Sequence, residues 1–483
     1  ASRGLTTLLL EQSDFAKGTS SRSTKLIHGG VRYLAQGNIK LVFDALKERG
    51  ILHRNAPHLI KKQSFVIPCY TTGEKIKYFI GLKLYDWLSG PLSFGSSKYI
   101  SASKILQLFP AINSKNLKGG VTYFDGQFDD ARLAINLAQT AAEKGAIVLN
   151  YCKVTALKKE AGKINGVAVT DIENKKEYDL KAKAVINATG VFVDDILKMD
   201  EADSKRLVRP SQGVHIVVDK SFLEGRHSLL IPKTPDGRVL FAVPWHNHVL
   251  IGTTDTPLKQ HSLEPIVLKQ EVDFILETIS QYLKKPPEKK DILTVFAGLR
   301  PLAASQNNEE KTKEISRDHK IIVNASGLVT ITGGKWTTYR KMADDTIKAA
   351  IKNGLLPDSI SQTTQISIHG FTTKTDETYL SVYGSDAEKI KDLQQEDPSL
   401  KERIIPTMPY TKAEVVWCIQ NEMARNIEDV LARRLRILFL NAAAAIEAAP
   451  VVAEIIKNEL GQTEEWKQEQ LGNFLVLAKG YLP

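Results

Sequence analysis

Residues 18–34, GTSSRSTKLIHGGVRYL, hold three kinds of functional group in one glycine-punctuated stretch. Thr19, Ser20, Ser21, Ser23 and Thr24 supply hydroxyls, His28 an imidazole beside two glycines, and Arg32 with Tyr33 a cation and a phenol. A hydroxyl-rich loop that permits close backbone approach suits a cofactor with many acceptor atoms. An arginine four residues past a histidine can hold an anion beside a proton-transfer group. Two further cations stand where the chain turns. Arg300 lies between Leu299 and Pro301 at a strand end in DILTVFAGLRPL. Lys335 follows Gly333-Gly334 at a turn into a helix, an anion seat through free N–H groups, the helix dipole and the ammonium. His215, inside an alternating apolar strand, reads as a core or edge histidine.

The elements that would position these groups follow in order. TTLLLE predicts a strand over residues 5–10 with Glu11 at its carboxyl end. A carboxylate there marks the second strand of a dinucleotide-binding βαβ unit, where it accepts hydrogen bonds from ribose hydroxyls. The glycine fingerprint of such a unit belongs about 20 residues earlier, so its first strand and pyrophosphate turn are expected to be absent from the chain as given. Residues 39–53 have helical spacing, with Asn38 as cap and Ala56-Pro57 closing the segment, and SFVIPCY reads as a strand. YFDGQFDD turns into a helix, ARLAINLAQTAAEKG, that stops at Gly145. A strand, a β-meander and a last strand, residues 184–188, then run into Thr189-Gly190, small residues that allow a ligand close to the carboxyl end of a parallel strand. SQGVHIVVD and RVLFAVPWHNHVLIGTTDT alternate as antiparallel strands of a second, sheet-built domain. SRDHKIIVNASGLVTITGGK reads as a hairpin leading to Lys335. Beyond about residue 370 the pattern is helical throughout, and there Arg433-Arg434-Leu435-Arg436 reads as a charged helix face.

Composition excludes several classes. With 483 residues, 42% hydrophobic and 25% charged, the chain is long enough for more than one domain and is neither disordered nor fibrous. Cys69, Cys152 and Cys418 match no metal spacing and read as reduced thiols of a cytoplasmic protein; no metal is expected. No stretch approaches the ~20 apolar residues of a membrane span, and the opening residues do not read as a signal peptide. The expectation is a soluble or surface-bound protein. The net charge of +10 admits nucleic acid, an anionic membrane or an anionic substrate, but no nucleic-acid signature accompanies it. Between Ile60 and Lys104 seven lysines face two acids, interleaved with Tyr78, Phe79, Leu82, Leu84, Tyr85 and Trp87. This reads either as a solvated cationic face over a core-packing helix or as an interfacial membrane contact.

Taken together, SSRSTKLIHGGVRYL, RNAPHL, DDARL, NATG, IGTTD, GLRPL, SRDH and GGKWTTYRK, in this order, resemble the FAD-dependent glycerol-3-phosphate dehydrogenase family over essentially the whole chain. PYTKAEVVWCIQNEMARNIEDVLARRLR resembles that family's helical cap domain. The resemblance implies an α/β fold: a glutathione-reductase-like FAD-binding domain discontinuous over 1–60, 120–204 and 292–356, lacking its first strand and glycine fingerprint. An antiparallel β substrate domain over 61–119 and 205–291 and a C-terminal α-helical cap over 370–483 complete it. It implies oxidation of sn-glycerol 3-phosphate to dihydroxyacetone phosphate, with electrons passed to quinone by a cytoplasmic enzyme peripheral on the inner face of the cell membrane. An anionic membrane surface and a homodimer are partners compatible with it.

By motif position, Arg32, Tyr33, Arg300, Arg317 and Lys335 would surround substrate. FAD would meet Glu11, Ser20, Ser21, Ser23, Val154, Gly190, Gly334 and Lys335. A phosphate dianion needs several cations, and arginine grips it bidentately. Hydride leaving C2 for flavin N5 while the C2 hydroxyl loses a proton calls for a base, His28 or its rival His215, with Arg300 or Lys335 favouring the alkoxide-like transition state. Oxygen in place of quinone, a flavin amine or amino-acid oxidase of the same fold, and a non-catalytic basic binding module stand as alternatives.

Overall fold

The computed structural model describes residues 1–34, 37–303, 318–374 and 378–483, the side chains of Arg32 and Ala303 excepted. Its first strand, β1 (Leu8–Leu10), is shorter than the expected residues 5–10. A loop then reaches β2 (Leu26–Ile27) and the single turn α1 (Val31–Leu34). Helix α2 (Ile39–Asn55) starts after Asn38, as the spacing predicts, though the Asn38 side chain makes no capping bond. β3 (Ile60–Cys69) leads into α3 (Thr72–Ser89), the basic aromatic stretch. This stretch is helical because Thr71 and Glu74 cap each other's backbone reciprocally. It buries Leu82 and Tyr85, and it exposes Ile76, Ile80 and Trp87 by 56, 63 and 75%. The outer face is thus apolar as well as basic, unlike a purely solvated cationic face.

β4 (Lys98–Ile100), α4 (Ala102–Leu108) and β5 (Gly119–Phe128) precede α5 (Asp130–Glu143), which Asp129 caps by accepting from the Arg132 N–H. β6 (Ile147–Leu149), the meander β7 (Cys152–Glu160), β8 (Lys163–Asp171) and β9 (Lys176–Lys181), β10 (Ile186–Asn187) and α6 (Val193–Asp200) follow. Next come β11 (Val208–Asp219), β12 (Ser228–Ile231), β13 (Leu240–Trp245), β14 (His248–Gly252), β15 (Thr256–Pro257), α7 (Lys269–Ser280) and β16 (Ile292–Ala303). The hairpin β17 (His319–Val323) and β18 (Val329–Gly333) leads to α8 (Tyr339–Lys352). The C-terminal part holds α9 (Ala387–Glu396), α10 (Lys412–Asn421), one π-helical turn over Asp429–Arg434, α11 (Ile437–Leu440), α12 (Ala442–Leu460) and α13 (Glu464–Lys479).

One ten-stranded, mostly antiparallel sheet runs β15-β11-β14-β13-β12-β3-β5-β2, with β16 on β11 and β4 on β5. Parallel pairing joins β1 to β6 and β10 to β18, the nucleotide-binding part, and β3 to β12 within the large sheet. β2, β16 and, but for Gly119, β5 fall in the segments expected of the FAD-binding domain, and they hydrogen-bond into the large sheet.

The large sheet is buried on both faces, which is why Ile216, Val217 and Val218 of β11 follow one another as apolar residues instead of alternating with polar ones. Val214, Ile216 and Val218 pack with Phe109, beside α4, and Ile275 of α7, while Val217 joins Trp245, Leu250 and Phe296 against α11 and α12. At that second interface Phe439 meets Phe296 edge-on at 4.8 Å and Tyr481 at 5.5 Å. Phe439→Ala is expected to cost about 3–5 kcal/mol through lost burial and an unfilled cavity, checked as a lowered midpoint in urea unfolding.

Candidate active site

The loop of residues 18–34 touches the elements that carry Arg300, His215 and Lys335. Near its start Thr19 Oγ1 donates to the Leu299 carbonyl of β16 at 2.5 Å. Thr24 Oγ1 and His215 Nε2 of β11 share a hydrogen bond at 2.9 Å. Farther on, the Thr337 hydroxyl accepts from the His28 N–H at 3.2 Å and donates to the His28 carbonyl at 3.3 Å. The Gly29 N–H donates to the Tyr85 hydroxyl oxygen of α3 at 2.8 Å. That hydroxyl donates in turn to Asp125 at 2.7 Å, and Arg49 holds the same carboxylate at 2.6 Å. His28 is therefore placed by its backbone from two sides.

Two of the expected cations lie at this loop. Arg300, on β16 opposite Ser211 of β11, lies so close to Gly213 that a Cβ there would fall 2.3 Å from its Nη2. Its guanidinium donates to Thr253 Oγ1 at 3.1 Å and to the Thr254 carbonyl at 3.0 Å, and it pairs with Asp255 at 3.3 Å. The fork is thus held in one orientation, the preorganisation an anion site needs. Lys335 follows Gly333 and Gly334, whose φ of 78° and 77° the turn requires, and its Nζ sits 4.0 Å from the centroid of the Tyr33 ring. A three-residue 3₁₀ turn, Trp336–Thr338, separates it from α8, so Lys335 precedes that helix rather than opening it. Arg32 falls in α1 beside Tyr33, but its side chain lies outside the described residues, as does Arg317 altogether.

His215 lies on β11 and meets the loop at Thr24 through its Nε2. The residue is 2% exposed and its ring stacks on Phe296 at 5.0 Å. Burial, and then the charges of Lys25 and Arg300, hold the imidazole well below its ordinary pKa.

The expected cofactor contacts divide. Glu11 ends β1 where that strand pairs in parallel with β6, and its Oε1 accepts from the Ser13 N–H at 3.1 Å. Burial raises its carboxyl above the usual range, which makes additional donors, such as ribose hydroxyls, favourable there. Gly190 follows parallel β10 and leaves open space on its Cβ side. These two strand ends fit a dinucleotide. Val154 lies half-buried on β7, and Gly334 is pressed against Met342.

The serines are spent differently from the expectation. Ser23 N–H and Oγ–H both donate to Asp130 Oδ2, at 3.1 and 2.7 Å. The buried Ser21 gives its carbonyl to Lys25 at 2.6 Å and to Arg436 at 2.9 Å, and the Ser20 carbonyl accepts from Trp336 Nε1 at 3.0 Å. Ser23 thus gives its hydroxyl to Asp130, while Ser20 and Ser21 are tied down through their carbonyls. Among the described residues no cluster of three ligand-type side chains is arranged to hold a metal.

Lys25, Asp130, Tyr85 and Thr337 are positioning residues that sequence reasoning missed. For the first two a signal existed. Lys25 directly precedes buried Leu26-Ile27, and Asp130 lies among buried Phe128, Ala131 and Leu133, where a charge has no route to water.

This fold and site define an FAD-dependent oxidoreductase. Residues 1–340 match the family described as FAD dependent oxidoreductase, and residues 328–470 match the C-terminal domain of alpha-glycerophosphate oxidase. A mitochondrial glycerol-3-phosphate dehydrogenase of Arabidopsis thaliana is 40% identical over 525 residues, covering 99% of this chain and 82% of that one. Its Homo sapiens counterpart is 39% identical over 518 residues, covering 99% and 71%. The solved glycerol-3-phosphate dehydrogenase of Bacillus halodurans, complexed with FAD, superposes with a TM-score of 0.81 at 28% identity, over 100% of this chain and 91% of the other. The chain belongs to the FAD-dependent glycerol-3-phosphate dehydrogenase family.

Tyr85→Phe removes the hydroxyl between Gly29 and Asp125, two buried partners. An expected loss of about 1–3 kcal/mol would appear as an earlier denaturant midpoint, with kcat/KM lowered because the His28 loop loses one of its supports.

Proposed function

We propose that the protein oxidises sn-glycerol 3-phosphate to dihydroxyacetone phosphate and passes the electrons to a quinone. The observation that carries this reading is that one loop joins the Arg300 strand, the Lys335 turn and His28. Bound FAD supplies the hydride acceptor; the chain's own groups do the rest. Arg300 and Lys335 neutralise the phosphate in a partly dry site and aim C2. His28 takes the proton of the C2 hydroxyl, and a neighbouring cation favours the alkoxide-like charge that develops.

The match of residues 328–470 to an oxidase's C-terminal domain keeps oxygen as the rival acceptor. Anaerobic addition of glycerol 3-phosphate to the FAD-loaded, full-length protein is expected to bleach the oxidised-flavin band near ~450 nm. A flavin that stays oxidised would reject the substrate. Reoxidation of the bleached protein by a soluble quinone but not by oxygen decides between the acceptors. Arg300→Ala should raise KM and lower kcat by about 10²-fold in kcat/KM while the fold persists, because Asp255 keeps Ser211 and Arg238 as partners.

We also propose that α3 seats the enzyme on an anionic membrane, where a quinone resides. Ile76, Ile80, Leu84 and Trp87 recur at helical spacing on its exposed side, with Lys77 and Lys83 among them. The neighbouring α2 adds exposed Ile39 and Phe43. Among the described residues no helix is long and apolar enough to cross a membrane, so the contact is interfacial. Changing Lys75, Lys77 and Lys83 to Glu is expected to abolish salt-sensitive sedimentation with phosphatidylserine vesicles. Equal sedimentation of both proteins would end the idea.

A further inference from the structure

The run Arg433-Arg434-Leu435-Arg436 is not a charged helix face. The three arginines are 2, 3 and 1% exposed, in and just after the π-helical turn. Two of them reach across to the segment that follows β1. Asp14, three residues past Glu11, is fully buried and accepts from Arg433 Nε and from Arg434 Nη1. Arg433 also holds Glu428 and Asp429, each at 2.5 Å, and Lys17 pairs with the same Glu428.

Tyr151 ties the same two regions. Its hydroxyl donates to Asp429 at 2.6 Å, while its N–H donates to the Ser13 carbonyl at 3.0 Å. The Asn150 side chain donates to the Met423 carbonyl at 2.9 Å, and the Cys152 N–H donates to the Glu11 carbonyl at 2.8 Å. Residues 11–17 are therefore shaped on one side by β6 and on the other by the C-terminal domain. Burial alone would raise the Asp14 carboxyl; Arg434 and Arg433 beside it hold it below the usual range. Without the two arginines the Asp14 carboxylate would be buried uncompensated, so docking of the C-terminal domain favours the observed shape of the segment.

We propose that Arg433 and Arg434, acting through Asp14, are positioning residues for the cofactor: the C-terminal domain holds the 11–17 segment in the form in which Glu11 binds FAD, and so sets how tightly the flavin is retained. This rests on the reading that Glu11 receives the cofactor's ribose. A merely structural role for the cluster would loosen the domain without singling out FAD. A second tether of the same domain provides the comparison. His369, which precedes α9, bonds Glu143 of α5 at 2.5 Å and Asp386, just before α9, at 2.6 Å, neither of them in the 11–17 segment.

The experiment measures FAD binding to deflavinated full-length protein by fluorescence titration, alongside thermal melting and KM for glycerol 3-phosphate at saturating FAD. Asp14→Asn is expected to raise the FAD Kd about tenfold or more, equivalent to ~1.4 kcal/mol of the cluster's energy reaching the site. Glu428→Gln, a milder change at a side chain one-fifth exposed, should raise it several-fold and serves if Asp14→Asn does not fold. KM at saturating FAD should stay within about twofold, below the tenfold that marks 1.4 kcal/mol. His369→Gln should lower the melting temperature and leave the FAD Kd unchanged. An unaltered Kd in the folded Asp14 or Glu428 variant, or an equal rise in the His369 variant, overturns the proposal. If the unsubstituted protein binds no FAD, the cofactor reading of Glu11 falls first, and this inference with it.

Discussion

Lys25 is cut off from water, and an ammonium in that position must be surrounded by acceptors or lose its proton. It has Asp130 Oδ2 at 2.7 Å and the Ser21 carbonyl at 2.6 Å, with the rings of Trp245 and Phe296 each 5.2 Å away. Burial draws its pKa down to about 7, against the attraction of Asp130. Arg436 completes the cluster by donating to Asp130 at 2.9 Å and to the same Ser21 carbonyl. One carboxylate thereby fixes a loop, a helix start and the C-terminal domain at once. Opening such a pair by removing one member costs about 3–5 kcal/mol because the other is left uncompensated. The path of residues 18–34, and with it the place of His28, depends on that penalty.

Around this anchor the site is assembled from backbone geometry more than from side-chain reach. Arg300 gets its place because Gly213 leaves room, and Lys335 because two glycines take the chain through a left-handed turn onto the Tyr33 ring. His28 is held through its N–H and carbonyl by Thr337, so its place follows from the backbone. His215 and Tyr85 bond the loop directly, at Thr24 and Gly29, and Arg49 works one step back, through the Asp125 carboxylate that Tyr85 also reaches.

Much of this was legible in residue order. Apolar spacing located α2, α5 and the meander, glycine placement found the turn before Lys335, and the acidic residue after Leu10 pointed to the parallel strands. The domain limits were not legible. Hydrogen bonds carry β5 and β16 into the large sheet, and nothing in a strand's own sequence says which neighbour it pairs with. The Ser23 hydroxyl looks the same in the sequence whether a cofactor or Asp130 receives it. The arginine run misled for a related reason. Charge at helical spacing reads as a solvated face until the carboxylates of Asp14 and Glu422, supplied from outside the turn, are known.

The separation of these partners along the chain bears on how the protein is made. Arg436 meets Ser21 across 415 positions and Arg433 meets Asp14 across 419, and the Tyr481 carbonyl accepts from the Val295 N–H of β16. On a ribosome, residues 11–25 and one face of the large sheet would emerge long before the helices that cover them. Contacts of such high order close late, and until they do Trp245, Leu250 and Phe296 lie open to other chains. The nascent protein is thus a client for whatever shields apolar surface during synthesis, and its reactive loop takes shape only at the end.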